Sequence, residues 1–409
     1  MKINLFQHGS LSRQAPSREF LLAAACCCWP ASPARDAAIR ATAAPVRDWE
    51  AFLRVVERHR IAGLVHDALP AAGTSVPAAV GAKLAARSKN IAQRNRLLLG
   101  DLALLQRAFA GERIEFLVLK GAALGQIAYG SATCKQTRDI DLLVAPDRAR
   151  AALAVLERAG YAALPPAVGS HDARFAAVLR YGREIELARP GSNLLVDLQW
   201  RSAENPTLLD GVDARSPAQD VELAEGLVVR TLAADDLFAY LCVHGAYHHW
   251  SRLKWLADLN AMLHTTGADV TWRYRHAQKI GAGLCAGQAL LLCRRLFDLP
   301  LPAALARELE TNRRTSKLEQ IALRAMTEPA VGHERMRAVS ANIHAQFLFG
   351  QGWRFFTAQC RAISVGMQDI PTVALPPALY LLYPVLRLPL WLLRRLRAAL
   401  RRWRMMKSS

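Results

Sequence analysis

Paired cysteine motifs and long apolar runs are both missing from this sequence. The 8 cysteines include the run Cys26, Cys27 and Cys28, and the others are scattered without C-x-x-C spacing. This pattern argues against a zinc site and a disulfide framework, and it suits a reducing, cytoplasmic setting. The apolar stretch 20–29 is too short to span a bilayer and begins too late for a signal peptide, so secretion is not expected.

Acidic residues are scarce relative to basic ones. The chain has 34 Asp and Glu against 53 Lys and Arg, a formal net charge of +19. Such a field attracts nucleotides, nucleic acid or acidic membrane surfaces without distinguishing among them. Internal repeats and low-complexity tracts are also missing, and 52% of the 409 residues are hydrophobic. We therefore expect a folded chain of two lobes, or of one core with helical additions.

The spacing of apolar residues and turn formers divides the chain into four predicted regions. The first is helical, with a break from Pro70 to Pro77, and the third starts with a polar, proline-containing link and is helical from Ala233. The regions are a helical N-terminal region (1–110), a strand-containing core (111–204), a helical C-terminal region (205–370) and a proline-containing, arginine-rich amphipathic tail (371–409).

Within the core region the apolar period becomes strand-like. Lys120-Gly121 begins a short helix that ends near Gly130, and a longer amphipathic helix covers 148–159. The predicted fold class is α+β, a small mixed β-sheet core with extensive helical N- and C-terminal regions. Strands are predicted at 115–119, 139–144, 183–188 and 194–200, the last two as a hairpin.

Three aspartates are candidate metal ligands and catalytic residues. Asp139 and Asp141 lie two apart in a predicted strand, so their carboxylates share one face and repel unless a divalent cation, usually Mg²⁺, bridges them. Asp197 stands inside another apolar strand, where a lone carboxylate is costly unless it is paired or metal-bound. Taken alone, the D-x-D spacing is equally consistent with a solvated strand end.

Lys120 and Gly121 follow the first predicted strand at a strand-to-helix junction. Free backbone N–H groups and a cation at such a junction can hold phosphates, although an ordinary turn with a solvated lysine is the alternative. Together with the three aspartates, this pair indicates phosphoryl chemistry on a nucleotide.

Several of these segments resemble the uncharacterised bacterial nucleotidyltransferase family of the polymerase-beta-like superfamily. The similarity covers roughly residues 20 to 300 and is more specific in combination than in any single piece. The segments are Phe116 to Leu124, Tyr129-Gly130, Asp139 to Val144, Asp48 to Phe52, Leu195 to Trp200 and His244 to Asp258.

This resemblance implies that the core is a nucleotidyltransferase catalytic core. Two aspartates of the D-x-D strand and a later acidic residue, for which Asp197 is the candidate and also a possible base, would bind two Mg²⁺ ions. One ion would activate the acceptor hydroxyl, and the other would hold the triphosphate of an NTP during attack on the α-phosphorus.

The sequence also departs from the superfamily pattern. Lys120-Gly121 stands where a Gly-Ser pair is usual, and Gln199 stands where related proteins often have His. Lys135 takes the place of a basic residue four positions before the first Asp, and Arg138 is adjacent to that Asp. The resulting candidate nucleotide-binding residues are Lys120, Gly121, Lys135 and Arg138.

The histidines His244, His248 and His249 lie on a predicted helix, the first two at a spacing that can chelate zinc. A polar helix face near the active cleft is the favoured interpretation, because no third ligand accompanies the pair. Asp258 is expected to pair with Lys254, four residues earlier, rather than to bind metal.

The tail joins basic residues to apolar ones at helical spacing and contains no acidic residue. Such a helix can lie on an anionic membrane, bind RNA or pack on the protein with its arginines outward, and the upstream prolines argue against a spanning segment. Its basic residues include Arg394, Arg395, Arg397, Arg401, Arg402, Arg404 and Lys407.

Two functions follow. The first is an enzyme that moves a nucleoside monophosphate from an NTP to an unidentified hydroxyl of a small molecule, a protein or RNA, with toxin-like action on tRNA as a sub-case. The second is a non-catalytic nucleotide-binding or membrane-peripheral module that retains the fold. The intact aspartates favour the enzyme, because a site without metal has no reason to hold three repelling carboxylates.

Overall fold

A computed structural model describes residues 16–165, 168–192, 194–267, 269–328 and 343–407 of the chain, with side chains as far as residue 395. The parts of the four predicted regions that fall on 1–15, 329–342 and 408–409 lie outside the described residues.

The N-terminal region is helical, as predicted. Ser17, Ser32 and Asp48 cap the first three helices, each accepting a backbone N–H bond that the helix itself leaves unsatisfied. The predicted break between Pro70 and Pro77 is confirmed. The helices are α1 (Arg18–Cys26), α2 (Pro33–Ala43), α3 (Trp49–His59), α4 (Ala62–Ala71) and the long α5 (Ala78–Gly111).

A five-stranded mixed sheet forms the core, so the predicted α+β class is confirmed. Its order is β1-β2-β5-β4-β3, with β2 and β5 parallel and the other pairs antiparallel. The strands are β1 (Phe116–Val118), β2 (Asp139–Val144), β3 (Ala162–Ala163), β4 (Glu184–Ala188) and β5 (Leu195–Gln199). The accompanying helices are α6 (Gly121–Tyr129), α7 (Ala149–Arg158) and α8 (Phe175–Tyr181).

The polar link predicted after residue 205 is wrong in part, because it contains a β-hairpin. Strands β6 (Ala218–Ala224) and β7 (Leu227–Leu232) pair with each other and pack against β1 and α6. Val221 and Val229 point into the core while their neighbours are exposed. The alternation of apolar and charged residues and the turn at Gly226 are signals of a β-hairpin, which the predicted polar link did not take into account.

The remaining described residues are mainly helical. No helix in these described parts is long and apolar enough to cross a membrane. The helices are α9 (Ala234–Tyr247), α10 (Leu253–Thr265), α11 (Val270–Lys279), α12 (Gly283–Phe297), α13 (Ala303–Thr311), α14 (Arg313–Thr327), α15 (Gly352–Ser364), α16 (Asp369–Thr372) and α17 (Tyr383–Lys407).

Two hydrophobic cores hold these elements together. One joins the N-terminal helices to α9–α14 and includes Phe52 and Phe238, and the other lies beside the sheet and includes Leu142, Leu153 and Leu198. Each fully buried Leu or Phe contributes about 1.5–3 kcal/mol. All 8 cysteines are free thiols, which confirms that the fold has no disulfide framework. The two cores fix the sheet and helices α9 and α10 on opposite sides of one cleft.

Candidate active site

The register of the sheet brings the predicted carboxylates together. Asp141 on β2 lies directly opposite Asp197 on the parallel strand β5. Asp139 is two residues before Asp141 and therefore shares its face of the sheet. Glu184 on β4 lies opposite Gln199 of β5, on the same face. The sequence-predicted aspartates thus line a single polar surface.

This surface forms one wall of a cleft of about 590 Å³. Helices α9 and α10 and the turn between α3 and α4 supply the other walls. The charged and aromatic lining residues are Arg60, Lys120, Lys135, Arg138, Asp139, Asp141, Arg183, Glu184, Asp197, Glu204, Tyr240, His244, Tyr247, His248, Arg252, Lys254, Trp255 and Asp258.

Asp141 is the most buried of the three aspartates, with 2% of its surface exposed. Its Oδ1 accepts from Lys120 Nζ at 2.8 Å and from Gln199 Nε2 at 3.1 Å. Burial raises the pKa of Asp141 to about 6, although Lys120 opposes the shift. Burial disfavours the Lys120 ammonium, but the neighbouring carboxylates outweigh it and raise the pKa of Lys120. Lys120 is therefore a positive charge fixed at the centre of the site.

The negative charges around Asp197 repel its carboxylate, and Lys120 offsets this repulsion only in part. Burial, and then the charges of Asp141, Asp139 and Glu184, raise its pKa to about 9. A cation bound among these oxygens would lower that pKa, because it favours the charged form.

Carboxylate oxygens are the donors that Mg²⁺ prefers, so the residues present fit this ion. Among the described residues, however, no group of three or more His, Cys, Asp or Glu side chains is arranged as a ready metal cluster. The Lys120 ammonium lies beside Oδ1 of Asp141, so a bound ion would share this carboxylate with Lys120.

Several positive charges line the same cleft. Burial, then Arg252 and Arg138, lower the pKa of Arg60 to about 10. Burial, then Lys135, lower the pKa of Lys254 to about 7. These cations repel one another, and a polyanion placed among them would relieve the repulsion. The cleft therefore combines a carboxylate wall, formed by Asp139, Asp141 and Asp197, with a cationic wall, formed by Arg60, Arg138, Arg252 and Lys254.

Lys135, a predicted nucleotide-binding residue, lines the cleft but is tied to the protein. It is 7% exposed, and its Nζ lies 2.8 Å from Asp258 Oδ2. Tyr129 donates its hydroxyl to the other Asp258 oxygen at 3.1 Å. The predicted Lys254–Asp258 pair is therefore wrong: the i, i+4 rule describes exposed helix faces, whereas Asp258 points into the interior. Lys254 donates instead to the Gln136 carbonyl at 3.3 Å.

Gly121 begins α6 with a φ of +62°, a conformation that L side chains rarely adopt. A Cβ there would lie 3.2 Å from Cγ2 of Thr137, closer than normal packing. Glycine at this position lets the strand turn sharply into the helix, which places Lys120 beside Asp141.

Comparison with protein families matches residues 45–298 of the chain to the family described as uncharacterised nucleotidyltransferase. The chain belongs to this family. A comparison with curated proteins finds no match. The matched range contains the residues that line the cleft from Arg60 to Asp258, whereas the lining residue Gln346 and the tail lie beyond it. Membership supports a general role in nucleotidyl transfer.

Within the cleft, four rings form a panel that the sequence did not single out as a binding surface. Tyr240 stacks on His244 at 6.2 Å between centroids, and His248 stacks on Trp255 at 4.8 Å. The two histidine rings meet edge to face at 4.6 Å. Burial, with Lys120 as the next cause, lowers the pKa of His248 to about 4 and holds that of His244 well below its usual value. Both imidazoles are therefore neutral at pH 7. The predicted polar helix face near the cleft is confirmed for His244, but α9 ends at Tyr247, so His248 and His249 lie just beyond the helix.

Sequence reasoning missed other cleft residues, notably Arg60, Arg183, Arg252 and Tyr240. Arg183 Nη2 lies 2.6 Å from Glu184 Oε2, at the start of β4. Arg60 follows α3 in a left-handed backbone conformation, about eighty residues before the D-x-D strand. No local pattern distinguishes these arginines from the many others in the chain, so only the packing of distant elements identifies them.

The raised pKa of Asp197 predicts how stability depends on pH. Between pH 4 and 9 the folded metal-free protein holds a proton on Asp197 that the unfolded chain has released, so stability falls as pH rises through this range. Asp197→Asn should remove this loss and leave the variant more stable than wild type at pH 9 by roughly several kcal/mol. Thermal melts in EDTA from pH 5 to 9 measure the difference.

Asp147→Asn is the matched control. Asp147 is exposed, follows the same strand as Asp139, and has a pKa lowered chiefly by its hydrogen bond to Arg215, so it titrates below the range measured. If the thermal stability of wild type and of Asp197→Asn changed equally with pH, the assignment of the proton to Asp197 would be contradicted.

Proposed function

We propose that this protein transfers a nucleoside monophosphate from an NTP to a hydroxyl acceptor in a Mg²⁺-dependent reaction. The observation that carries the proposal is the charge pattern of the cleft: a group of neighbouring carboxylates and a group of neighbouring cations line the same cavity. A magnesium–triphosphate complex has the complementary pattern, with a divalent cation on one side and negative oxygens on the other. Family membership supports the same reaction class.

Asp139, Asp141 and Asp197 would hold the metal. When bound, Mg²⁺ would polarise the phosphates and lower the pKa of the acceptor hydroxyl. Asp197 would receive the acceptor's proton only in its ionised form, which a cation bound nearby favours by lowering its raised pKa. Lys120 keeps Asp141 ionised and positions a positive charge beside the carboxylates.

The cationic wall would bind the triphosphate. Arg138 and Arg252 lie close enough to Arg60 to lower its pKa, and Arg138 also lowers the pKa of Arg252. Lys254 belongs to the same group, because Arg60 lowers its pKa. Guanidinium groups form paired hydrogen bonds with phosphate oxygens, which orients the chain of phosphates as well as holding it. Orientation matters because the reaction requires the acceptor oxygen and the leaving oxygen in line.

The accessible part of the panel, at His248 and Trp255, would hold the nucleobase, and the buried Tyr240 would support it through His244. Neutral imidazole and indole rings offer flat π faces, and stacking on such a face contributes about 1–3 kcal/mol per base. This arrangement places base recognition on α9 and α10 and phosphate chemistry on the sheet.

Trp255→Leu should therefore weaken NTP binding by about 5- to 100-fold. Binding of inorganic tripolyphosphate, which has no base, should not change. Isothermal titration of both ligands measures the two effects. Trp272→Leu is the matched control, because Trp272 is 63% exposed on α11 and lies outside the lining of the cleft. Equal losses for NTP and tripolyphosphate would contradict the stacking role.

The test of the function is incorporation of α-phosphate-labelled ATP, GTP, CTP and UTP into cell extract, with and without Mg²⁺. Transfer by the wild type that requires Mg²⁺ supports the proposal, and the mobility of the label separates small-molecule, protein and tRNA acceptors. NTP binding without transfer would instead favour a non-catalytic nucleotide-binding module.

A further inference from the structure

Helix α17 presents one face to the protein. Tyr383, Arg387, Leu390 and Arg394 recur at spacings of four, three and four, so they share a face. Tyr383 and Leu390 are buried, and the Tyr383 hydroxyl donates to the Val373 carbonyl at 2.8 Å.

The two arginines of this face fasten the helix to α16. Arg387 and Arg394 both pair with Asp369, whose side chain is fully buried. The backbone N–H of Gly366 also donates to Asp369, at 2.9 Å. The orientation of α17 about its own axis is therefore fixed.

The opposite face of α17 is apolar and exposed. Val385, Leu388 and Leu392, here called the leucine stripe, lie about half a turn around the helix from the buried set. Leu381 lies in the 3-10 turn Pro377–Leu382 that precedes α17. Their exposed fractions are 71% for Leu381, 71% for Val385, 65% for Leu388 and 48% for Leu392. More than half of the exposed large hydrophobic side chains in the described residues lie in 379–393.

The charge of this segment indicates which kind of partner could cover the exposed apolar face. Residues 370–409 contain no Asp or Glu, whereas basic residues are frequent. A second copy of the chain would bring two such basic segments together, which like-charge repulsion opposes. RNA would satisfy the arginines but would leave the leucine stripe in water. An anionic bilayer surface satisfies both features.

We propose that the leucine stripe of α17 docks onto an anionic lipid membrane, with the helix lying in the plane of the interface. Leu381, Val385, Leu388 and Leu392 would enter the acyl boundary and Arg395 would contact acidic headgroups, whereas Arg387 and Arg394 stay paired with Asp369. Arg395 already lies over the Trp391 ring at 4.3 Å, a cation–aromatic pair suited to the headgroup level. This inference is independent of the nucleotide chemistry.

The test uses the full-length protein and sedimentation with vesicles of phosphatidylcholine alone or with 30% phosphatidylserine. Wild type should bind the phosphatidylserine vesicles, and the variant Val385→Ser/Leu388→Ser/Leu392→Ser should bind them at least 10-fold more weakly. Leu97→Ser/Leu104→Ser is the matched control, since Leu97 and Leu104 are 61% and 54% exposed on α5. It should bind as wild type does.

Three outcomes would overturn the inference. The first is that the triple variant and the wild type bind vesicles equally. The second is that the α5 control also loses vesicle binding. The third is that the wild type does not bind vesicles but does bind RNA. Circular dichroism of each variant establishes that the fold is intact, and unchanged NTP binding by the triple variant separates this surface from the cleft.

Discussion

Asp139→Asn is expected to reduce nucleotidyl transfer by about a thousandfold or more without lowering the thermal midpoint of the metal-free protein. A bound metal ion contributes several kcal/mol to stabilising transition-state charge, and each 1.36 kcal/mol is about tenfold in rate. The substitution also removes one of the charges that raise the pKa of Asp197, so it relieves repulsion in the fold. Single-turnover transfer of labelled NTP measures the rate.

The matched control for this experiment is again Asp147→Asn. Asp147 lies just beyond the end of β2, is exposed, and pairs with Arg215 rather than facing the cleft. Its variant should transfer nucleotide at the wild-type rate. A wild-type rate for Asp139→Asn, or a rate lost only together with the folded state, would exclude Asp139 as a metal ligand.

Asp258→Asn should lower the free energy of unfolding by about 3–5 kcal/mol. The change leaves the Lys135 ammonium buried without its carboxylate partner, and an uncompensated buried charge is strongly destabilising. Asparagine still offers an oxygen to the Tyr129 hydroxyl, so the loss reports mainly on the ion pair. Urea denaturation with and without saturating NTP measures the effect.

A second variant keeps this prediction testable even if the first folds poorly. Lys135→Met in the Asp258→Asn background removes the unpaired charge and should restore most of the lost stability. Glu308→Gln breaks the exposed Arg275 pair and should cost about 0–1 kcal/mol. Failure of the double variant to recover would show that the ion pair is not the source of the loss.

The helices and strands that build the site were readable from local patterns. Apolar spacing placed α5 and the D-x-D strand β2, and the Lys120-Gly121 junction marked the start of α6. Tertiary contacts changed the interpretation of individual side chains. Lys135 was assigned to the nucleotide by its distance from Asp139 in the sequence, yet in the fold it also neutralises Asp258.

The role of Asp197 shows where local reasoning stops. Its apolar strand context predicted that the carboxylate needs a partner, but only the parallel register of β2 and β5 places it opposite Asp141. A shift of one residue in that register would turn Asp197 to the other face of the sheet. The assignment of the three aspartates to a metal remains a prediction that the Asp139 and Asp197 variants test.

Local sequence patterns were enough to establish the α+β class, the approximate bounds of α5–α7 and of β1, β2, β4 and β5, the carboxylate pair on one strand and the basic, acid-free tail, because each depends on neighbours within a few residues. The tertiary structure decided that Arg60 and Arg252 join the aspartates in one cleft, that Asp258 pairs with Lys135, and that the leucine stripe of α17 is exposed. These outcomes depend on how elements far apart in the chain pack, and the free energy of that packing leaves no local pattern in the sequence.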